Sequence, residues 1–141
     1  MKPVRVELAH RANYGVRRGK IEWIVMHYTA NDGDSDEANG RYFQQVLNPV
    51  ASAHYFVDDL GWMQSVDDGD TAWSVGTGGI YVQKHPECRN ENSISIELCC
   101  RYAAGQYAFS KKTVRNAARL ARMLMMKYDI PLGNVLRHYD V

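Results

Sequence analysis

The 141-residue sequence has little cysteine and proline, no long apolar stretch and no excess of charge of either sign. It contains three cysteines and four prolines. The odd cysteine number argues against a disulfide framework and fits synthesis in a reducing compartment. Seventeen Lys and Arg balance sixteen Asp and Glu, so no electrostatic basis for nucleic-acid binding is present. No apolar run approaches the ~20 residues of a membrane-spanning helix, and no membrane partner is expected.

The N-terminal segment Met1–Glu7 lacks the apolar core of a secretory signal peptide. We therefore expect synthesis in the cytoplasm, with any export by another route. A hydrophobic share of 45% and a charged share of 23% are ordinary for a soluble protein. These values and the chain length predict a single domain over residues 1–141 that behaves as a monomer.

Apolar patterning alternates between strand and helix along the chain. Strands are predicted from β-branched and aromatic runs bounded by turn residues, over residues 21–29, 53–58, 62–66, 93–98 and 134–139. One helix is predicted from Ala38 until Asn48-Pro49, and a second follows the N-cap Ser110, with an apolar stripe from Val114 to Tyr128. Residues 67–92 are rich in Gly and polar residues, which predicts a long functional loop. The expected fold class is α/β, a central mixed β-sheet flanked by helices.

Two of the five histidines end segments that the pattern assigns to strands. His27 follows the buried run Ile21–Met26, and His138 closes the last predicted strand. Rigid strand ends that deliver two imidazoles to one edge of a sheet are typical of a zinc site, because neutral imidazole is a good zinc ligand. Most lone histidines are surface or core residues, and His10 and His85 are interpreted in that way.

Glu97 is the third informative residue. It lies in the alternating strand Ser93–Leu98, on the same face as Ser93 and Ser95. One interpretation is a solvent-facing side chain on a half-exposed strand. The other is a general base beside a metal, since a carboxylate inside an apolar strand is costly to bury unless it is used.

Five blocks occur in order between Ile21 and the last residue. They are Ile24–Ala30, Ala53–Val57, Asp70–Gly76, Asn92–Glu97 and Arg137-His138. No single block is specific, but together they resemble the type-2 N-acetylmuramoyl-L-alanine amidases. This family of zinc enzymes includes phage endolysin catalytic domains and the peptidoglycan recognition proteins. The resemblance implies the peptidoglycan recognition protein-like amidase fold.

The resemblance also implies an activity and a set of site residues. The activity is zinc-dependent hydrolysis of the amide between N-acetylmuramic acid and L-alanine in bacterial peptidoglycan, as in endolysins and autolysins. His27 and His138 match the family's zinc histidines, and Glu97 matches the catalytic base of the endolysin branch. Substrate contacts are expected from residues in or beside the blocks, namely Thr29, Asn31, His54, Trp73 and Asn92.

The sequence departs from the family pattern at three places. Ala53 stands where many relatives have an aromatic residue, so a tyrosine-assisted mechanism is not available there, and Ser74 replaces a frequent histidine. Relatives also carry the third zinc ligand a few residues after the second histidine, whereas this sequence ends at Asp140-Val141. We therefore expect a domain that lacks its C-terminal segment, binds zinc weakly or not at all, and has little activity. A cell-wall-binding domain can follow in the full-length protein.

Two other functions remain open at this point. A non-catalytic peptidoglycan-binding module would keep the groove and bind its ligand without metal. A cysteine amidase would use Cys99 or Cys100 as nucleophile with a histidine, although neither cysteine begins a helix, where a thiolate would be stabilised.

Overall fold

The computed structural model of the protein describes residues 5–6, 8–45, 51–75 and 83–141. Within these ranges the chain forms nine strands and two α-helices. The strands are β1 (Arg5–Val6), β2 (Tyr14–Val16), β3 (Trp23–Asp32), β4 (Tyr55–Asp58), β5 (Gly61–Gln64), β6 (Asp70–Ala72), β7 (Ser93–Ala103), β8 (Gln106–Ala108) and β9 (Val135–Arg137). The helices are α1 (Asp36–Gln45) and α2 (Lys111–Tyr128). Neither helix is both long and apolar enough to cross a membrane.

Seven of these strands form one mixed sheet in the order β1-β5-β4-β7-β3-β9, with β8 paired to the far end of β7. The strands β4, β7, β3 and β9 run parallel to one another, whereas β4 and β5 form an antiparallel hairpin. Strands β2 and β6 form a separate antiparallel pair. The predicted fold class, a mixed sheet flanked by helices, is confirmed.

Helix α2 covers one face of the sheet and forms the main core with it. Its buried residues include Ala117, Leu120 and Leu124, which pack in one cluster with Ile24 and Ile94. The helix begins where the Ser110 hydroxyl accepts a hydrogen bond from the Thr113 N–H. Because successive strand residues point to opposite faces, the alternate positions of β3 and β7 face away from α2.

Helix α1 lies against the other face of the sheet. The ring of Phe43 stacks on Phe56 of β4 at a centroid distance of 5.5 Å. Asp36 begins the helix in a fully buried position and receives a 2.8 Å hydrogen bond from Arg5. A groove remains between α1 and the loops that precede β4 and follow β6, with the sheet as its floor.

The structure changes several predicted boundaries. Strand β3 continues to Asp32, five residues beyond His27, and the β7–β3 register shifts between Tyr28 and Asp32. The last strand ends at Arg137, and His138 begins a short 3₁₀ turn. The predicted end of the first helix at Asn48-Pro49 lies outside the described residues.

Local pattern also missed several short elements, including β1 and β2. Residues 67–92 are not all loop, because β6 lies within them and pairs with β2. Strand β7 extends beyond residue 98 to Ala103, and β8 folds back on it. Val114 of the predicted apolar stripe on α2 is 48% exposed, and the buried face of the helix contains Leu120 instead.

Arg17 links the loop before β6 to the segment that leads into β7. Its guanidinium donates hydrogen bonds to the carbonyl oxygens of Asp68, Glu91 and Ser93 at 2.7–2.9 Å. The Asp68 carbonyl belongs to the loop before β6, and the Glu91 and Ser93 carbonyls lie at or just before the start of β7. One side chain therefore joins two segments that are far apart in sequence. Sequence reasoning did not identify Arg17, because carbonyl contacts leave no residue pattern.

Candidate functional site

His27, Glu97 and His138 meet on the face of the sheet that carries the groove. Strands β3 and β7 are parallel and in a register that places His27 directly beside Glu97. Strand β9 pairs Arg137 with Met26, so His138 follows at the level of His27. All three side chains line the groove, although they are separated by up to 111 positions in the chain.

The distances show a compact group. The rings of His27 and His138 have centroids 4.4 Å apart with planes tilted by 44°. His27 Nδ1 lies 3.7 Å from Glu97 Oε1. Burial lowers the pKa of His27 to about 3, with a smaller effect in the same direction from His138. Burial, with a smaller effect from the Asp34 carboxylate, raises the pKa of Glu97 to about 7.

These pKa directions decide the nature of the His27–Glu97 contact. An ion pair at 3.7 Å would require a protonated imidazole, and burial favours the neutral ring instead. We therefore interpret the contact as a neutral imidazole beside a carboxyl group that is only partly ionised near pH 7. Glu97 is 18% exposed, so the interpretation of a solvent-facing side chain is wrong.

Two polar atoms of this group are buried and have no hydrogen-bond partner among the described residues: His27 Nε2 and Glu97 Oε2. An unsatisfied buried polar group typically costs about 1–3 kcal/mol. Two such atoms on neighbouring residues that line one groove indicate a site built for a ligand rather than for stability. A neutral imidazole with a free ring nitrogen is also the protonation state that zinc requires of histidine, so His27 and His138 fit this metal.

Other candidate ligands are engaged elsewhere. The Asp140 carboxylate accepts two hydrogen bonds from Arg137 at 2.9 and 3.1 Å and lies 3.7 Å from Lys84. The thiols of Cys99 and Cys100 are buried and contact Asn39 and the Asn31 carbonyl oxygen. In the part of the chain that the structure describes, no group of three or more His, Cys, Asp or Glu side chains could hold a metal ion.

The groove has a volume of about 950 Å³ and several walls. Three of the five residues expected to contact substrate lie on it: Thr29, Asn31 and Trp73. Two segments contribute walls: Asn31 and Asp34 come from the first, and residues 73–75 and Asn90 come from the second. Residues 76–82 of the second wall lie outside the described residues.

The other two residues expected to contact substrate do not line the groove, and this expectation is corrected. His54 is 1% exposed; its Nδ1 accepts a hydrogen bond from the Ser95 N–H, and Nε2 lies 3.2 Å from the Asp70 carbonyl oxygen. The Asn92 amide is buried and donates to the Glu87 carbonyl oxygen while accepting from the Arg89 N–H. Both side chains therefore fasten loops beneath the site.

Burial lowers the pKa of His54 to about 4, against a weaker opposite effect of the hydrogen bond to Asp70. Above pH 6.5 the ring is neutral in both the folded and the unfolded state. Between pH 6.5 and about 4 it is protonated in the unfolded state but neutral in the folded state. The contribution of His54 to stability should therefore fall between pH 6.5 and about 4, by about 3 kcal/mol at 1.36 kcal/mol per pH unit, beside a loss of the same sign from His27. Urea unfolding at a series of pH values measures this loss. His54→Gln should make the free energy of unfolding fall less steeply between these pH values, whereas the control His85→Gln, at a more exposed site, should leave the pH dependence unchanged. The same pH dependence in His54→Gln and in the unsubstituted protein would contradict this role of His54.

Sequence reasoning missed the α1 side of the groove. Helix α1 contributes Ala38, Asn39, Tyr42 and Phe43 to the lining. Asn39 donates to the Asp34 carboxylate at 2.7 Å, which holds the wall against the end of the sheet. The helix was predicted, but periodicity alone does not reveal which polar residues face a groove.

The chain is similar in sequence to N-acetylmuramoyl-L-alanine amidases. The model of the N-acetylmuramoyl-L-alanine amidase family matches residues 17–141. The N-acetylmuramoyl-L-alanine amidase CwlL of Bacillus licheniformis is 31% identical over 132 residues, which are 90% of this chain and 36% of that protein. The chain thus spans about a third of the length of such curated relatives.

Solved structures with the same fold include catalytic domains of comparable length. A mutant endolysin from Bacillus subtilis superposes with a TM-score of 0.78 and 27% identity, covering 98% of this chain and 84% of that one. The solution structure of the PlyG catalytic domain gives 0.76 and 27%, covering 99% and 79%. The expected endolysin-like architecture is confirmed by these similarities.

Proposed function

The chain belongs to the type-2 N-acetylmuramoyl-L-alanine amidase family, and from this premise we propose that it hydrolyses the amide between N-acetylmuramic acid and L-alanine of peptidoglycan. The proposal includes zinc dependence and action on the bacterial cell wall, as in endolysins or autolysins. The observation that carries it is the pair of buried, unpartnered atoms His27 Nε2 and Glu97 Oε2 beside His138 in the groove. Unpartnered donors and acceptors of this kind fit a metal and a reacting water better than they fit a purely structural role.

His27 and His138 would hold the zinc ion, since His27 lies on β3 and His138 directly follows the adjacent strand β9, with ring centroids 4.4 Å apart. A bound zinc ion supplies Lewis acidity, which polarises a carbonyl group and lowers the pKa of a water molecule toward about 7. The burial of His27 keeps its ring neutral and therefore available as a ligand.

Glu97 acts as the general base and acid. Its pKa of about 7 lets the carboxylate take a proton from the attacking water near neutral pH and return it to the leaving amine of L-alanine. The side chain is held on β7 between neighbouring parallel strands, so its position is set by the sheet. Asn31, Asn39 and Asn90 line the same groove and offer amide groups to the backbone of an extended stem peptide.

A cysteine-based amidase is disfavoured by the structure. All three thiols are buried, whereas a nucleophilic cysteine needs access and a lowered pKa. Burial raises the pKa of Cys99 well above its usual range and that of Cys88 to about 12. None of the three cysteines lines the groove in its described part.

The non-catalytic peptidoglycan-binding module remains a second candidate because of one observation. The described residues bring two histidines together but no third protein ligand. This alternative predicts that a muramoyl peptide binds equally well with and without a chelator.

The products of the reaction test the proposed bond. Purified cell wall or a muramoyl pentapeptide treated with the full-length protein and zinc should yield free L-alanine amino termini and no new reducing sugar ends. Amino-group labelling and reducing-end assays on the same sample measure both. New reducing ends without free amines would indicate a glycosidase, and amines from residues other than L-alanine would indicate a peptidase; either result contradicts the proposal.

The cellular setting is part of the same proposal. We expect a monomer that is made in the cytoplasm and reaches the wall by phage-type release or another export route. The proposal includes a cell-wall-binding domain elsewhere in the full-length protein, which would supply additional affinity for the wall; the two Bacillus licheniformis relatives align with this chain over 36% of their length.

A further inference from the structure

A second cavity, which we call the side pocket, adjoins the groove at Trp73 and has a volume of about 590 Å³. Three residues line both cavities: Trp73, Val75 and Asn90. The Trp73 ring also lies against Gly15 of β2 in the side pocket, where an added Cβ would be 3.5 Å from the Trp73 Nε1. A ligand that contacts Trp73 and Asn90 in the groove therefore lies next to the side pocket.

The two cavities differ in charge. The groove contains the carboxyl groups of Asp34 and Glu97 and, among its described lining residues, no Lys or Arg. The side pocket is lined by Arg18, Arg89 and Glu91. Arg89 and Glu91 lie 3.9 Å apart and offset each other's charge, so Arg18 gives the described lining a net positive charge. An anionic group is thus favoured in the side pocket and disfavoured beside Asp34.

Arg18 is exposed, and its guanidinium has no hydrogen bond or ion pair with any residue that the structure describes. The residues on either side of it are fixed. The Arg17 guanidinium donates to three carbonyl oxygens at 2.7–2.9 Å, and a Cβ at Gly19 would lie 3.1 Å from the Glu91 carbonyl oxygen. The main chain at Arg18 is therefore held against the segment that leads into β7, and a ligand has only the side chain to order.

Asn90 supplies a second donor where the two cavities meet. Its Oδ1 accepts hydrogen bonds from the Ser74 and Val75 N–H groups at 3.0 and 2.8 Å. These two donors fix the orientation of the amide, because its oxygen must face them. The Asn90 Nδ2 has no hydrogen-bond partner among the described residues. A ligand atom at this junction can therefore accept a hydrogen bond from Nδ2.

We propose that Arg18, together with Asn90, binds a carboxylate of the stem peptide and fixes the direction of the peptide, an inference that rests on the amidase function proposed above. The peptide is joined to the sugar through its amino end, which must lie beside Glu97 for hydrolysis. Its free carboxylates all lie beyond L-alanine, on the side of the scissile bond that leads away from the sugar. A guanidinium pairs with a carboxylate through two parallel N–H···O bonds. Arg18 is therefore a specificity-determining residue that takes no part in the chemical step.

Binding of a reaction product tests the site without relying on turnover. The probe is the peptide L-Ala-γ-D-Glu-L-Lys-D-Ala, which carries free carboxylates at glutamate and at its C-terminus, and the control ligand is the same peptide with these groups amidated. In calorimetric titrations of the full-length protein, Arg18→Gln should weaken binding of the acidic peptide roughly two- to fivefold, the range for an exposed charged contact. Binding of the amidated peptide should remain unchanged.

Arg119→Gln is the matched control, because Arg119 is an exposed arginine on α2 that lines neither cavity. It removes the same charge and should change the affinity for neither peptide. Equal losses for both peptides in Arg18→Gln, no loss for the acidic one, or the same loss in Arg119→Gln would overturn the proposal.

Asn90→Asp tests the second donor separately. Aspartate keeps an oxygen that can accept from the Ser74 and Val75 N–H groups, but it replaces the free NH₂ group with a negatively charged oxygen. The variant should therefore weaken binding of the acidic peptide more than binding of the amidated one. An unchanged preference between the two peptides would contradict the role of Asn90.

Steady-state kinetics then distinguish binding from chemistry. On a muramoyl tetrapeptide with free carboxylates, Arg18→Gln should raise KM by the same roughly two- to fivefold factor and leave kcat unchanged, because the contact is equally strong in the ground state and the transition state. Arg18→Lys keeps the charge without the planar pair of donors and should recover part of the loss. A lower kcat with an unchanged KM would overturn the assignment of Arg18 to binding.

The outcomes separate this inference from the function on which it rests. Hydrolysis of the muramoyl amide, with peptide binding that does not depend on Arg18, would overturn the inference and leave the amidase function intact. Carboxylate-dependent binding at Arg18 in a protein that releases no L-alanine amino termini would contradict the amidase function and support the side pocket as a peptide-binding site.

Discussion

Glu97→Gln should reduce amide hydrolysis by roughly 10²–10⁴-fold, the usual contribution of general acid–base catalysis. The substitution keeps the shape of the side chain but removes the group that accepts a proton. Glu97 Oε2 has no hydrogen-bond partner among the described residues, so glutamine breaks no interaction of that atom. The folded state should be at least as stable near pH 7, because a buried carboxyl group with a raised pKa is replaced by a neutral amide.

The measurement is kcat and KM on a purified muramoyl peptide, with thermal unfolding of the same samples. Glu91→Gln is the matched control, since Glu91 is an exposed glutamate six positions earlier whose side chain lies outside the main groove. It should retain full activity. Near-normal turnover by Glu97→Gln would assign proton transfer to another group, and a large loss in Glu91→Gln would show that the assay reports general damage.

Zinc binding should depend on both histidines of the site. His27→Ala and His138→Ala each remove one of the two imidazoles that lie together in the groove. Each should lower zinc affinity by more than the roughly 10–100-fold that loss of an outer-shell partner costs. Because the described residues supply two donors rather than three, the affinity of the 141-residue chain itself should be weaker than that of a three-ligand site.

Zinc titration followed through the histidine ring signals by NMR measures these affinities even when binding is weak. His85→Ala is the control, because His85 pairs with Glu87 away from the groove. The full-length protein without substitutions should lose amidase activity when a chelator is added and regain it when zinc is restored. Zinc-induced shifts that persist in His27→Ala, or activity that a chelator does not change, would contradict the assignment of the metal site.

Part of the site followed from the sequence by local physical reasoning. The apolar run before His27 and the alternation around Glu97 are sufficient to place both side chains on strands. The N-cap Ser110 and the helical spacing after it predicted α2, which the structure confirms. These features depend on near neighbours in the chain, so their pattern is visible without the fold.

The remaining features depend on partners that are distant in sequence. The alternation of β7 does not specify what covers the face that carries Glu97, and in the fold this side chain is only 18% exposed. His54 was expected to contact substrate, but Ser95 and Asp70, 41 and 16 positions away, fix it inside the fold. Periodicity specifies which face of a strand a residue occupies, but not what covers that face.

The sequence by itself determined the α/β class, the family resemblance and the strand positions of His27 and Glu97. The tertiary structure alone decided the parallel register that places His27 beside Glu97, the burial of one unpartnered atom on each of these two side chains, and the contact of Tyr28 with the hairpin of β7 and β8. The physical reason is that a strand's pattern fixes its alternation but leaves its register and neighbours to be set by packing over the whole sheet.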